Sequence, residues 1–222
     1  MPEIVKMPDK PLFQLWANDK NVQCEGSIVT YGNMLIIFHN ITLNRDLATS
    51  KAKGNESLKE VLRQKDSDEI IKFRSGYFDV PCKATTRLVP QKHDPQHFRT
   101  WKSALIARPH KHIESSVIEE DFTMIIICRY EYANVYWTGM DLYNTFLSMK
   151  FLGANNSRTI HLLIFDIHSN TPLDRIWEGI FKSVKRFHNL NSSVTFSDLA
   201  WTFSAQIQSV NGQKSETDSL HR

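Results

Sequence analysis

The spacing of apolar residues changes character near residue 120. Before it, the pattern is short and alternating. From Ser27 to Leu43, β-branched and aromatic residues flank the turn signal Tyr31-Gly32-Asn33, which predicts a hairpin. Residues 44–56 are polar and read as a loop. Ser57-Leu58-Lys59-Glu60 is a capping box ahead of Val61 and Leu62, and it predicts a short helix over about 57–66. Ile70 to Val80 reads as a strand pair, and 83–120, broken by Pro90, Pro95 and Pro109, reads as irregular. After residue 120 the runs become continuous. Phe122-Thr-Met-Ile-Ile-Ile-Cys128 and Ile160-His-Leu-Leu-Ile-Phe165 have the composition of strands buried on both faces of a parallel sheet. Between them Val135, Leu142, Phe146, Met149 and Leu152 share one helical face. Thr171, Pro172 and Asp174 fit the N-cap, N1 and N3 positions of a second helix, whose stripe Leu173, Ile176, Trp177, Ile180, Phe181, Val184 and Phe187 recurs at three- and four-residue steps. A third strand starts at Ser193. The order β-α-β-α-β predicts an α/β fold, one Rossmann-like half of a doubly wound sheet over 121–204. A β-rich region (21–120) precedes it, with an extended lead-in (1–20) and an aperiodic tail (205–222) at the ends.

Composition narrows the possible functions. The chain has 222 residues, 27 basic against 24 acidic, for a net charge of +3, and no concentrated basic stripe of the kind that grips nucleic acid. Mean hydropathy is −0.37, and no apolar window approaches the ~18 residues of a membrane span. The first residues, Met1-Pro-Glu-Ile-Val-Lys, lack the apolar core of a secretory signal, which taken alone points to the cytosol. Four N-x-S/T sequons, at Asn40, Asn55, Asn155 and Asn191, point the other way. Cys24, Cys82 and Cys128 form no C-x-x-C pair, so they specify neither a zinc site nor a thioredoxin-type motif.

Ligands of a doubly wound sheet sit beyond the carboxyl ends of its strands. That rule selects Arg129-Tyr-Glu-Tyr-Ala-Asn134, leading towards Asp141, and Asp166-Ile-His168. The alternative is structural: Glu131 and Asp166 cap helices, and Arg129 pairs with one of them. There is no G-x-G-x-x-G, no P-loop and no G-x-S-x-G, which removes the dinucleotide, P-loop and α/β-hydrolase readings. His110 and His112 have no third ligand nearby and read as a surface loop, so no metal site is expected. Lys182, Lys185 and Arg186 are expected on the solvated face of the second helix or near its C-terminus.

The block Arg129-Tyr-Glu-Tyr-Ala-Asn-Val-Tyr136, with Thr138 and Asp141, resembles the central block of glycosyltransferase family 61, in particular plant-type β-1,2-xylosyltransferases of N-glycan cores. Ile164-Phe-Asp-Ile-His168 with Leu173 and Trp177 is similar to the same enzymes, and Cys24-Glu-Gly26, Glu56-Ser-Leu58 and Gly76-Tyr-Phe78 match upstream in order. The resemblance implies an inverting, GT-B type transferase of the Golgi or endoplasmic reticulum lumen, of which this chain is the N-terminal, acceptor-side half. It implies a UDP-sugar donor, UDP-xylose for the nearest relatives, and a glycan or glycoprotein acceptor, with no bound cofactor. Carried over by position, Glu131 or Asp166 is the expected base and His168 the second choice. Arg129, Asn134 and Asp141 are expected to bind substrate or orient the loop. Trp137 departs from the family pattern, which has a histidine there, and an indole cannot accept a proton. The resemblance fades after about Trp201. The expectation is therefore a fragment or truncated form without its donor-binding half and membrane anchor, unable to bind UDP-sugar alone. The competing reading is an inactive relative that binds a glycan or a protein. In an oxidising lumen the expected pair is Cys24 with Cys82, leaving Cys128 as a buried thiol.

Overall fold

The computed structural model describes residues 18–32, 35–85, 87–88, 96–109, 118–129, 131–190 and 193–202. The lead-in through Ala17, His110 and His112, Asn191 and the tail from residue 203 lie outside the described residues. Among the described residues there are eleven strands: β1 (Lys20–Gln23), β2 (Ile28–Tyr31), β3 (Leu35–Leu43), β4 (Ala48–Thr49), β5 (Lys72–Phe73), β6 (Phe78–Pro81), β7 (Leu105–Arg108), β8 (Ile118–Ile127), β9 (His161–Ile164), β10 (Ser183–Arg186) and β11 (Val194–Thr202). The α-helices described in full are α1 (Leu58–Val61), α2 (Gln96–Ala104), α3 (Val135–Phe151) and α4 (Asp174–Ile180).

Nine strands form one mixed sheet in the order β1-β2-β3-β11-β8-β9-β10, with β6 pairing both β3 and β7, while β4 and β5 make a separate two-stranded ribbon. The β2–β3 hairpin is antiparallel, as its turn signal predicts. Strand β11 runs antiparallel to β3 and parallel to β8, and β8–β9 and β9–β10 are parallel. The expected Rossmann-like half of a GT-B enzyme is therefore overturned. The parallel strands are not an α/β unit with a β-rich preface; they are sewn through β11 into one predominantly β, mixed sheet.

Local differences have identifiable causes. Strands β5 and β6, expected to pair, separate to pair with β4 and β3 respectively, because Gly76 at φ 92° turns the chain between them. The stretch read as irregular holds α2 and β7, anchored by fully buried Trp101 and Leu105. The second helix stops at Ile180 rather than near Phe187, and β10 begins at Ser183. Short apolar repeats fit a helix or a strand equally well, and pairing along β9 decides the matter here.

The continuous apolar runs arise because the sheet is covered on both sides. Successive residues point to opposite faces. Ile36, Phe38, Met124, Ile126, Leu163 and Phe165 enter one core with Trp101, Phe78, Phe187 and Trp201. Leu35, Ile37, Ile125, Ile127, Leu162 and Ile164 enter the other with Met149, Trp177 and Phe181. Among the described residues no helix is long and apolar enough to cross a membrane.

Helix α3 is rotated from the expected face: Met149 is buried and Leu142 and Leu152 pack on the core as expected, but Val135 and Phe146 turn outward. Val135 is 70% exposed and Phe146 42%, whereas Thr138, Asp141, Asn144, Thr145 and Ser148 are buried along with Met149. Thr145 and Ser148 donate their hydroxyls to the carbonyls four residues back, of Asp141 (2.7 Å) and Asn144 (2.9 Å), so burial leaves neither hydroxyl unsatisfied.

Cys24 and Cys82 form a disulfide, with Cα atoms 4.6 Å apart, across 58 residues of sequence. It fastens the left-handed turn Cys24-Glu25-Gly26 (φ 51°, 54° and 100°) to the end of β6, where Glu25 also accepts from the Lys83 amide at 3.1 Å. Closing a loop of that length is worth about 4 kcal/mol through the unfolded chain. Cys82→Ser is therefore expected to lower unfolding free energy by about 3–4 kcal/mol. Urea titration should show the same loss when the wild type is reduced, and no further loss when the variant is.

Candidate active site

The carboxyl ends of the parallel neighbours β8 and β9 lie side by side, and the chain after each turns out of the sheet. Arg129, two residues past β8, is 4% exposed. Its guanidinium donates to both Asp166 oxygens, from Nε at 2.9 Å and Nη2 at 2.7 Å, and from Nη1 to Asp174 at 2.7 Å. The Arg129 amide adds a bond to Asp166 at 3.0 Å. Asp174, at the start of α4, accepts from Arg186 at 2.8 Å and from the Thr171 amide at 3.0 Å. Two arginines and two aspartates thus form a buried cluster joining β8, β9, α4 and β10. Arg186, expected on a solvated helix face, is buried within it.

Burial alone would raise the Asp166 carboxyl, but the hydrogen bonds and charge of Arg129 outweigh it and hold the group below the usual carboxylate range. Burial likewise works against the Arg129 charge, and Asp166 and Asp174 more than restore it. Asp166 also accepts from the His168 amide at 3.1 Å, so its oxygens carry four donors. The pairing of Arg129 with Asp166, one part of the structural alternative, is present, whereas among the described residues Asp166 caps no helix.

The cluster grips His168 by its backbone. The His168 carbonyl accepts from Arg186 at 2.6 Å and Arg129 at 3.2 Å. The imidazole Nδ1 lies 2.5 Å from Glu69, and its ring stacks on Tyr132 with centroids 4.6 Å apart. His168 is 20% exposed at its side chain and Glu69 15%. In the neutral tautomer that donates Nδ1–H to Glu69, the lone pair is on Nε2.

A cavity of about 470 Å³ opens between α1 and the two post-strand loops; among the described residues its lining includes Tyr132 and Ser169, the neighbours of His168, and neither His168 nor Glu69 itself. Tyr132, Ala133, Leu58, Val61, Pro172 and Leu173 supply apolar walls, and Glu56, Ser169, Asn170 and Thr171 the polar groups. Glu56 is fixed by the amides of Lys53 and Gly54 and by the Ser169 hydroxyl, the last two at 2.9 and 3.2 Å. Burial pushes its carboxyl up, and these donors together bring it below the ordinary value. Gly54 (φ 82°) is required in this turn, since a Cβ there would lie 2.6 Å from His188 Nδ1. Burial and the Arg186 charge push the His188 imidazole down.

The remaining expected residues fall elsewhere. Glu131 is exposed and accepts from Asn134 at 2.8 Å, and Asn134 caps α3 through the Tyr136 amide at 2.9 Å. Asp141 is buried in α3, away from the cavity lining. Cys128 donates to the Phe165 carbonyl at 3.1 Å, and burial raises its thiol far above the reactive range. Glu69 and Ser169 were not selected from the sequence, and Glu56 and Tyr132 were noted only within longer blocks, without a role. Glu69 and Glu56 meet their partners His168 and Ser169 across 99 and 113 residues. Among the described residues no group of three or more His, Cys, Asp or Glu side chains could hold a metal ion.

Removing one member of a buried ion cluster leaves the others uncompensated and costs about 3–5 kcal/mol. Asp166→Asn is expected to destabilise by that order at pH 7. The native pKa of Asp166 lies below its unfolded value, so its contribution is complete above about pH 5 and fades as pH falls through the native pKa. Denaturant titrations from pH 7 to pH 2 should show the wild type and Asp166→Asn converging towards the acid end.

No family model matches the chain, and no solved structure matches it. Among curated proteins it is similar to a β-1,2-xylosyltransferase of Arabidopsis thaliana, 24% identical over 175 residues, covering 65% of this chain and 32% of that protein. It is also similar to β-1,2-xylosyltransferase RCN11 of Oryza sativa subsp. japonica, 24% identical over 160 residues, covering 65% of this chain and 29% of the relative. The chain spans about a third of the length of the curated relatives it matches. The relationship is xylosyltransferase-like in sequence.

Proposed function

We propose that this chain carries the acceptor-binding, base-bearing part of an inverting glycosyltransferase of the family 61 kind, acting in the secretory lumen on a glycan or glycoprotein, with UDP-xylose as donor. The observation that carries this reading is the His168–Glu69 pair at the ends of β8 and β9, whose neighbours Tyr132 and Ser169 line a cavity, in a chain similar to β-1,2-xylosyltransferases. The Cys24–Cys82 disulfide and the exposed sequon residues Asn40, Asn55 and Asn155 support a lumenal site.

In this reading the acceptor hydroxyl loses its proton to His168 Nε2 as its oxygen attacks the anomeric carbon. The bond from that carbon to the diphosphate breaks, and UDP leaves with the electron pair. Glu69 holds the ring and stabilises the imidazolium that forms. His168 thereby replaces Asp166 as the preferred base, and Glu131 is left to orient the loop with Asn134. The guanidiniums of Arg129 and Arg186 are spent on aspartates, so they do not neutralise the departing diphosphate. That task belongs to groups beyond this cluster. Trp137, in the first turn of α3, favours the second reading, a glycan-binding relative without activity.

The test is transfer from UDP-xylose to a mannose-terminated N-glycan by the full-length protein. The expected product is a β-linked pentose, with kcat lowered about 10²–10⁴-fold in His168→Gln and less in Glu69→Gln, KM for acceptor unchanged. Full activity in His168→Gln would move the base elsewhere, and acceptor binding without transfer by the wild type would establish the second reading.

A further inference from the structure

The cavity lined by Tyr132 and Ser169 has a charge pattern that restricts what can fill it. Its volume, about 470 Å³, falls in the ~300–1,000 Å³ range of small-molecule sites. Glu56 is the charged side chain among the described residues lining it, and no lysine, arginine or histidine is among them. The Glu56 carboxylate is not free to turn away, because the Lys53 and Gly54 amides and the Ser169 hydroxyl hold it in place. A phosphate or carboxylate entering here would meet a fixed negative charge in a half-enclosed site with no compensating cation, where repulsion is several-fold stronger than in water. A hydroxyl would instead donate to the carboxylate's remaining lone pairs and gain a charge-assisted bond. The lining residues Leu58, Val61, Tyr132 and Pro172 are apolar and suit the C–H face of a sugar ring, the surface a pyranose has left once its hydroxyls point to polar groups.

We infer that this cavity is a subsite for an uncharged pyranose, with Glu56 as the specificity-determining residue that accepts a sugar hydroxyl and excludes uronic acids and phosphate-bearing ligands. The inference rests on the transferase reading above and deepens it: the cavity takes the neutral acceptor sugar, and the nucleotide donor enters elsewhere. Glu56 acts on selectivity and Tyr132 on affinity, and the two can be separated.

The experiment is an NMR titration of the protein with methyl glucoside, methyl glucuronide and UDP, the first two differing only at C6. Methyl glucoside is expected to shift the amides of Tyr132 and Ser169 and to bind at least about tenfold more tightly than the glucuronide, a difference of about 1.4 kcal/mol. UDP is expected to leave these amides unmoved. Glu56→Gln should bring the two glycosides to within about twofold of each other, and Tyr132→Ala should weaken both about equally, by roughly tenfold. The wild-type comparison requires no variant, so a Glu56→Gln protein that does not fold leaves the test intact. Equal binding of the glucuronide or UDP at these amides, no shift with methyl glucoside, or an unchanged ratio in a folded Glu56→Gln would overturn the inference. Failure of xylose transfer with the expected selectivity intact would remove the transferase reading and leave the subsite. Transfer with the selectivity absent would do the reverse.

Discussion

Arg129 is a fully charged group placed where water cannot reach it, and the arrangement of the surrounding chain follows from that. Burying a guanidinium costs several kcal/mol unless its donors are met by opposite charge in good geometry. Asp166 and Asp174 meet them, and each aspartate then needs further donors, which the amides of Arg129, His168 and Thr171 and the side chain of Arg186 provide. The result is a neutral set of two cations and two anions whose members come from four separate elements. Such a set contributes less to net stability than apolar packing of the same volume would. Its effect is on geometry: the loops after β8 and β9 have one arrangement in which every charge is paired. Arg186 Nε is the one guanidinium nitrogen of the cluster left buried without a partner, which marks where the network is least complete.

The same bonds connect the fold to the chemistry. Two of the cluster's donors end on the His168 carbonyl, and an Asp166 oxygen takes its amide, so the backbone of the proposed base is held on both sides. The side chain is then fixed independently, by Glu69 on one nitrogen and the Tyr132 ring on its face. A base held in this way does not have to be reoriented as the proton moves. The arrangement also divides the charge of the region. Both arginines face inward to aspartates, so the cavity retains the negative charge of Glu56 and is suited to hydroxyls and not to phosphates.

How much of this was legible in the sequence depended on distance along the chain. The rule that ligands gather beyond strand carboxyl ends placed Arg129, Asp166 and His168 together, because it needs only two buried strands to be recognised and adjacent. It did not assign roles. The family resemblance made Asp166 an expected base, yet its neighbour Arg129 takes up its lone pairs. Asp174 was read as a helix-capping residue, and Arg186 as a solvated one, since a helix continued to Phe187 would place it outside; β10 instead turns it inward. Glu56 and Glu69 belong to the N-terminal half of the chain, and nothing in a linear pattern says that they come back to the ends of β8 and β9. The fold class failed for the same reason. The β-α-β-α-β order is local and readable, whereas the pairing of β11 with both β3 and β8, which merges two expected regions into one sheet, is long-range.

Helix α3 shows a further limit of periodicity. Its apolar and polar residues both recur at helical spacing and their stripes overlap, so the pattern leaves the exact rotation open. Met149, Leu142 and Leu152 stay on the core side while the polar stripe also turns in, at the cost of an unpartnered Asn144 Nδ2. With the Thr138–Ser148 stripe inward, Thr138, Thr145 and Ser148 bond to the helix's own carbonyls and take no donors or acceptors from the sheet. Asn134 and Glu131 set the rotation at the helix start, with Asn134 capping the first turn from a loop already fixed by Arg129. Hydroxyls on a helix can therefore be buried at small cost, provided the helix is oriented from its end. The orientation comes back to the chain leaving β8, so the placement of α3 follows from the same buried arginine that positions His168.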